Sequence, residues 1–254
     1  MLAACGVAGA GRRTIAAVAS AISSPATNSY AIDPAAYFDE WNHQITLLPF
    51  VQNAAITLTT PLPSPVPPSP DTSRALVEAF SERGIELLTN VRVTAVDAER
   101  KIAVLDDGRE LACDFFLGVP KQRAPDVVVA SGMTENGWVT VDPRTLTTRF
   151  EGVYAVGDLA NTGAPKAGVF AEGAARAVAK NVIAKFLGSD ETAKNPGAGS
   201  CYIEFGAGRI ARVDVDFFSG PKPTGTFQEP SPALRAEKQL FGASRRARWF
   251  GMNG

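Results

Sequence analysis

From about residue 55 onward, apolar and polar positions follow recognisable periods. Residues 56–60 ("ITLTT") read as a strand, closed by "PLPSPVPPSP", whose prolines remove the N–H groups that a helix or a sheet ladder needs. Residues 71–83 read as a helix: Ala75, Leu76, Ala79 and Phe80 recur at three- and four-residue steps, Asp71 or Thr72 is placed to cap it, and Gly84 ends it. The short β-rich runs "IELLT", "VRVTAVD" and "KIAVLDD" follow, with Asp107-Gly108 as a tight-turn signal before "RELACDFFLGVP". Two further strands, "GWVTVD" and "VYAV", flank "PRTLTTRF". The helix expected over 168–187 carries Phe170, Ala174, Val178, Val182 and Phe186 at four-residue intervals as a buried stripe. "GAGSCYIEFGAGRIARVDVDFF" predicts a β-hairpin turning at Gly206–Gly208, and a last helix is expected over Pro232–Phe250.

This order of elements is α/β and resembles part of a nucleotide-binding unit, with four segments: a low-complexity or disordered start over 1–30, a middle domain over 31–125, an α/β segment over 126–188, and a hairpin with its helix over 189–254. The start is rich in Ala and Ser. Arg12-Arg13 ahead of a weakly apolar stretch also admits a twin-arginine export signal, against the default of a cytoplasmic protein. "GVAGAG" from Gly6 does not spell GxGxxG, so it does not mark a phosphate loop.

At 254 residues, 45% hydrophobic and 20% charged, the chain is large enough for a substantial core. Its formal net charge of −1, with both signs interspersed, provides no field for nucleic acid. Cys5, Cys113 and Cys201 stand far apart, and His43 is the only histidine, so neither a disulfide framework nor a metal site is expected. Cys113 and Cys201 lie within apolar strands and read as small core residues. The last helix sets Leu234, Leu240, Phe241, Trp249 and Phe250 among Arg245, Arg246 and Arg248; this pattern suits a packed helix with a solvated basic face, or peripheral contact with a membrane surface.

The candidate chemistry lies in "VYAVGDLANTGAPKAGVF". A strand that ends on Gly157-Asp158 delivers a carboxylate able to accept hydrogen bonds from ribityl or ribose hydroxyls, and Gly157 allows a close approach to the backbone. The helix beginning near Gly168 directs backbone N–H groups and a partial positive charge at the same place, and Lys166 adds a cation. Read without any relative, the same residues also make an ordinary turn with a capping aspartate and a surface lysine.

"RTLTTRFEGVYAVGDLANTGAPKAGVFAEGAARAVAKNVIAKF" resembles the second FAD-binding signature of the pyridine nucleotide-disulfide oxidoreductase superfamily, and in particular its sulfide:quinone oxidoreductase and flavocytochrome c sulfide dehydrogenase branch; "PKAGVFAE" and "RARWFG" carry the branch likeness. The resemblance covers roughly residue 32 to the end. It implies a Rossmann-like flavoprotein fold of two dinucleotide-binding domains, N-terminally incomplete. Asp158, with Gly157, would hold the FAD ribityl chain, and Lys166, Ala167 and Gly168 would face the flavin. Electrons would pass through FAD to an acceptor such as a quinone. The family's redox cysteines have no counterpart, since Ile32 stands at one expected place and no cysteine lies between Asp158 and Lys166. The middle domain has no glycine-rich loop before "ITLTT" to support NADH binding, which leaves a NAD(P)H-dependent flavin reductase the weakest reading. The alternative is a non-catalytic remnant or interaction module that binds FAD weakly. In either case an incomplete cofactor face predicts self-association or a complementary chain.

Overall fold

A computed structural model describes residues 3–4, 15–18, 55–118, 122–189 and 192–252. The run from Gly6 to Gly11, Arg12-Arg13, Ile32 and His43 lie outside them. The chain groups into two compact units, one of 1–67 with 73–122 and the other of 68–72 with 123–254.

In the first unit a five-stranded sheet is ordered β4-β3-β1-β2-β8, from β1 (Ala3–Ala4), β2 (Ile15–Val18), β3 (Ile56–Thr59), β4 (Ile85–Leu88) and β8 (Phe115–Gly118). β3 and β4 are parallel and joined by helix α1 (Pro70–Glu82), a βαβ crossover. β1 and β2 fall within the stretch expected to be low-complexity or disordered. Sheet pairing uses backbone groups, so an alanine-rich run with no readable alternation still supplies ladder partners.

The proline-rich loop after β3 has few N–H groups, and Ser73 satisfies one residue of it completely: its hydroxyl accepts from Val66 N at 3.0 Å and donates to Val66 O at 2.9 Å. α1 starts one residue earlier than expected and is capped by Ser69, not by Asp71 or Thr72. Pro70 fits the first helical position, where no N–H is needed, and the buried Ser69 hydroxyl accepts from Thr72 N at 3.4 Å and bonds Thr72 Oγ1 at 2.7 Å. β5 (Val93–Asp97), β6 (Ile102–Leu105) and β7 (Glu110–Ala112) form the expected antiparallel meander around Val91, Val93, Ala103, Leu105 and Cys113.

The second unit opens with the short helix α2 (Asp126–Ala130), followed by β9 (Thr134–Glu135) and β10 (Trp138–Thr140); β10 runs parallel to β11 (Ala160–Asn161). "VYAV" is not a strand. It makes one bridge, Tyr154 to Thr147, with backbone hydrogen bonds from Ala155 N to Leu146 O and from Thr148 N to Val153 O on either side, and the pairing stops where Leu146 turns to a φ of 62°. Helix α3 (Gly168–Phe186) buries Phe170, Ala174 and Ala177, whereas Phe186 is 89% exposed. The expected stripe fails at its end for a geometric reason: each four-residue step advances about 40° around a helix of 3.6 residues per turn, so five such positions sweep across nearly half the circumference.

β12 (Ala198–Glu204) and β13 (Ile210–Asp216) form the expected hairpin, but β14 (Thr224–Gln228) adds a third antiparallel strand. Its sequence, "TGTFQ", has no apolar alternation and gave no strand signal. Helix α4 spans Pro232–Phe250 as expected, between a Ser231 hydroxyl that accepts from Leu234 N at 3.2 Å and a left-handed Gly251.

α4 buries only Leu234 and is held largely by polar ties. Glu237 accepts from Tyr202 at 2.6 Å and from Arg212 at 2.5 Å, and Lys238 pairs with Glu204. Arg245 grips one oxygen of Glu172 on α3 through two N–H groups, at 3.0 and 2.7 Å, while Arg176 takes the other at 2.6 Å. The Glu172 side chain is only 13% exposed. Burial pushes its pKa up, but the hydrogen bonds from Arg245 and Arg176 outweigh this and leave it below the usual glutamate value. A carboxylate lowered on folding stabilises the fold above its unfolded value, about 4.3, and that contribution disappears as pH falls through the lower folded value. Glu172→Gln should therefore cost about 1–3 kcal/mol at pH 7. The difference in melting temperature between parent and variant should shrink as pH falls below about 4; a difference independent of pH would contradict the assignment.

Candidate functional site

The site grows from the path of the chain between β10's parallel partner and α3. Val156 is extended, Gly157 turns to a φ of 74°, and residues Gly157–Leu159 make one 3-10 turn before β11 returns alongside β10. The left-handed conformation at Gly157 is what allows the turn, and a Cβ there would come 3.5 Å from that of Ala171 on α3. The loop after β11 is closed by the Thr162 hydroxyl, which accepts from Ala164 N at 3.3 Å, and reaches Ala167 in extended conformation.

α3 then starts with no side-chain cap and no acidic residue in its first turn. Its leading N–H groups have no intrahelical acceptors, and the partial positive charge at this end is left for whatever lies in front of it. A Cβ at Gly168 would meet open space. The helix is fixed from two sides: Phe170 packs with Val213 and Val215, and Ala174 and Ala177 pack with Val139, Ala155 and Ala160.

Four of the five residues singled out in the sequence, Gly157, Asp158, Lys166 and Ala167, line one pocket, together with Phe170, Ala171 and Asn195; Gly168 stands at the head of the helix just outside that lining. Among the described residues no hydrogen bond or ion pair ends on the Asp158 carboxylate, which is exposed and feels Lys166 through its charge. An unbonded carboxylate facing an uncapped helix start is a donor–acceptor set that fits a group bearing hydroxyls on one side and electron-rich carbonyls on the other.

Lys166 does not extend into open space. Its ammonium donates to Asp158 O at 2.6 Å and Ala160 O at 3.2 Å and lies 3.7 Å from the centre of the Trp138 ring. Burial lowers its pKa below the ordinary lysine value, and the Asp158 charge pulls the other way. Trp138 had been legible only as a strand residue; its role follows from the parallel pairing of β10 with β11, which no local pattern announces. Asn195 also went unread. It is buried, donates from Nδ2 to Pro143 O at 3.0 Å and takes its backbone N–H to Arg144 O at 2.7 Å, pinning the floor of the pocket.

Of the two described cysteines, Cys113 is buried in the first unit and Cys201 packs beside the Phe170 cluster. Burial, with the Asp214 charge, raises the Cys201 thiol above its ordinary value and disfavours the thiolate. Among the described residues no group of acidic, histidine and cysteine side chains could hold a metal ion.

Residues 34–179 match the family model described as pyridine nucleotide-disulphide oxidoreductase. Among solved structures, the sulfide:quinone oxidoreductase of the hyperthermophilic bacterium Aquifex aeolicus is similar over 91% of this chain at 21% identity and a TM-score of 0.68. A chain of the Tetrahymena thermophila mitochondrial ATP synthase assembly is similar over 92% at 16% identity and a TM-score of 0.61. In each case this chain spans 58% of the length of the other. No curated protein matches its sequence.

The two glycines of the site make opposite predictions. Gly157→Ala forces a side chain into the left-handed region and should destabilise by about 1–2 kcal/mol. Gly168→Ala meets no neighbour and no such strain, and should be neutral or stabilising by about 0.4–1 kcal/mol. Thermal melts of both variants check this, and equal losses would place the strain elsewhere.

Proposed function

The chain belongs to the pyridine nucleotide-disulphide oxidoreductase family, whose model it matches over more than half its length, and from that premise we propose that it is an FAD-dependent oxidoreductase of the sulfide:quinone reductase-like group. The observation that carries the reading is the pairing of an unbonded Asp158 with the uncapped start of α3 across Gly157. Asp158 accepts hydrogen bonds from the ribityl hydroxyls, and Gly157 admits the ribityl chain close to the backbone. The N–H groups at Ala167 and Gly168 face the pyrimidine edge, where their partial charge favours electron density. Bound FAD supplies the electron transfer itself, between a donor and a small acceptor such as a quinone.

The chain's own residues hold and orient the cofactor and supply electrostatics. Neither Cys113 nor Cys201 is suited to act as a redox thiolate, one being buried in the first unit and the other raised by burial. No helix among the described residues is long and apolar enough to cross a membrane. Access to a lipid-soluble acceptor is assigned to α4, where exposed Trp249 and Phe250 stand beside Arg246 and Arg248 as a peripheral contact.

Titration of the purified chain with FAD, followed by flavin fluorescence and absorbance, tests the assignment. Asp158→Ala should weaken binding by about 1.5–3 kcal/mol, the range for a hydrogen bond to a charged group. Equal affinities in parent and variant would remove Asp158 from the site.

A further inference from the structure

We infer that Trp138 is a positioning residue for the proposed cofactor turn, acting through the Lys166 ammonium that its indole face holds against the carbonyls of Asp158 and Ala160. The inference rests on the FAD reading for its purpose, but the seat itself is a property of this chain.

An ammonium has three N–H donors and no acceptor. Here two of them are matched by carbonyl oxygens, at 2.6 and 3.2 Å, and the remaining side of the cation faces an aromatic ring with its centre at 3.7 Å. Indole offers the strongest π-face among side chains for such a cation, and partial removal from water strengthens the attraction. Lys166, half-buried, is thus seated between two carbonyls and a ring of the chain it stabilises.

The position of Trp138 argues that the ring is there for this contact and not for the core. Side chains alternate along β10, and Val139, 1% exposed, is the residue that enters the cluster with Ala155, Ala160 and Ala174. Trp138 is therefore on the opposite face, half-buried, where β10 pairs with β11 and places the ring beside the turn. The two carbonyls gripped by Lys166 bracket Leu159, so the cation closes the 3-10 turn from outside and fixes the backbone that carries Asp158. Loss of the indole face would leave the ammonium partly desolvated with one side unpartnered. It would then swing toward water and release both carbonyls.

Backbone hydrogen exchange over residues 157–161, measured in the full chain, reads this coupling without any cofactor. Trp138→Leu and Lys166→Met should each speed exchange there by roughly 2- to 30-fold, with Trp138→Phe in between. The double variant should exchange no faster than Lys166→Met alone, because the indole has no cation left to hold. Multiplying effects, or an unchanged rate in Trp138→Leu, would overturn the inference and leave the ring as packing only. If Trp138→Leu does not fold, the cycle is run with Trp138→Phe, where the same non-multiplying pattern is required. FAD titration of the same variants separates the two claims. A parent that fails to bind FAD defeats the cofactor reading while the exchange cycle still decides the seat. A parent that binds should lose affinity in both single variants, and no further in the double.

Discussion

The start of α3 is held by packing, and the rest of the site depends on that. A helix that begins without a side-chain cap leaves its first N–H groups unpaired, which is tolerable only where they face water or a ligand. Such an end frays unless tertiary contacts fix it. Here Val169 lies against Gly199, where an added Cβ would come within 2.8 Å of its side chain; Phe170 enters the cluster on β13, and Ala174 and Ala177 pack toward β10 and β11. The apolar contacts are crowded into the first three turns, while Phe186 and Leu187 at the far end are exposed. Burial is concentrated where the helix has no cap, and it holds the uncapped end in place.

Polar ties extend this support outward. Asn195 and Arg144 connect the segment after β10 to the segment entering β12: Arg144 donates to the carbonyls of Asn195, Pro196 and Phe218 at 3.0, 3.3 and 2.7 Å, with its guanidinium over the Phe218 ring. Three carbonyls on one guanidinium satisfy loop groups that no ladder reaches. On the other side, Glu172 sits one turn into α3 and collects arginines from both α3 and α4. α4, with little apolar burial of its own, is thereby attached to the same turn of α3 that the clusters fix.

Much of this was legible along the chain, for reasons that can be named. α4 has a serine and proline at its start and a glycine at its end, which are local signals for both boundaries, and its observed bounds match them. The meander of β5 to β7 is announced by β-branched runs and by Asp107-Gly108. The elements that escaped are those with no alternation of their own, which exist through their pairing. β1 and β2 have no alternation and exist through pairing with β3 and β8, and β14 exists through β13. "VYAV" failed in the opposite sense: its composition is that of a strand, but its pairing with residues 146–148 is limited to a single bridge beside the left-handed Leu146. At the site the residue types Gly157, Asp158, Lys166, Ala167 and Gly168 were apparent, whereas the direction of the Lys166 side chain was not, because it is decided by a ring on another strand.

That direction changes the electrostatic account of the pocket. A lysine one residue before a helix N-terminus suggests a full charge added to the helix dipole, both aimed at an anion. With the ammonium bonded to Asp158 O and Ala160 O and covered by Trp138, its N–H groups are directed at two carbonyls of the turn. The helix end is equivalent to about half an elementary charge and contributes about 0.3–1 kcal/mol toward an anion where solvent has access, beside the full charge that Lys166 keeps in the lining of the same pocket. Asp158 adds the opposite sign on the other side of Gly157. The pocket therefore sets the helix end and the Lys166 cation against the Asp158 carboxylate, and their placement is held by the apolar wedge beneath α3 and by the contacts of the ammonium behind the turn.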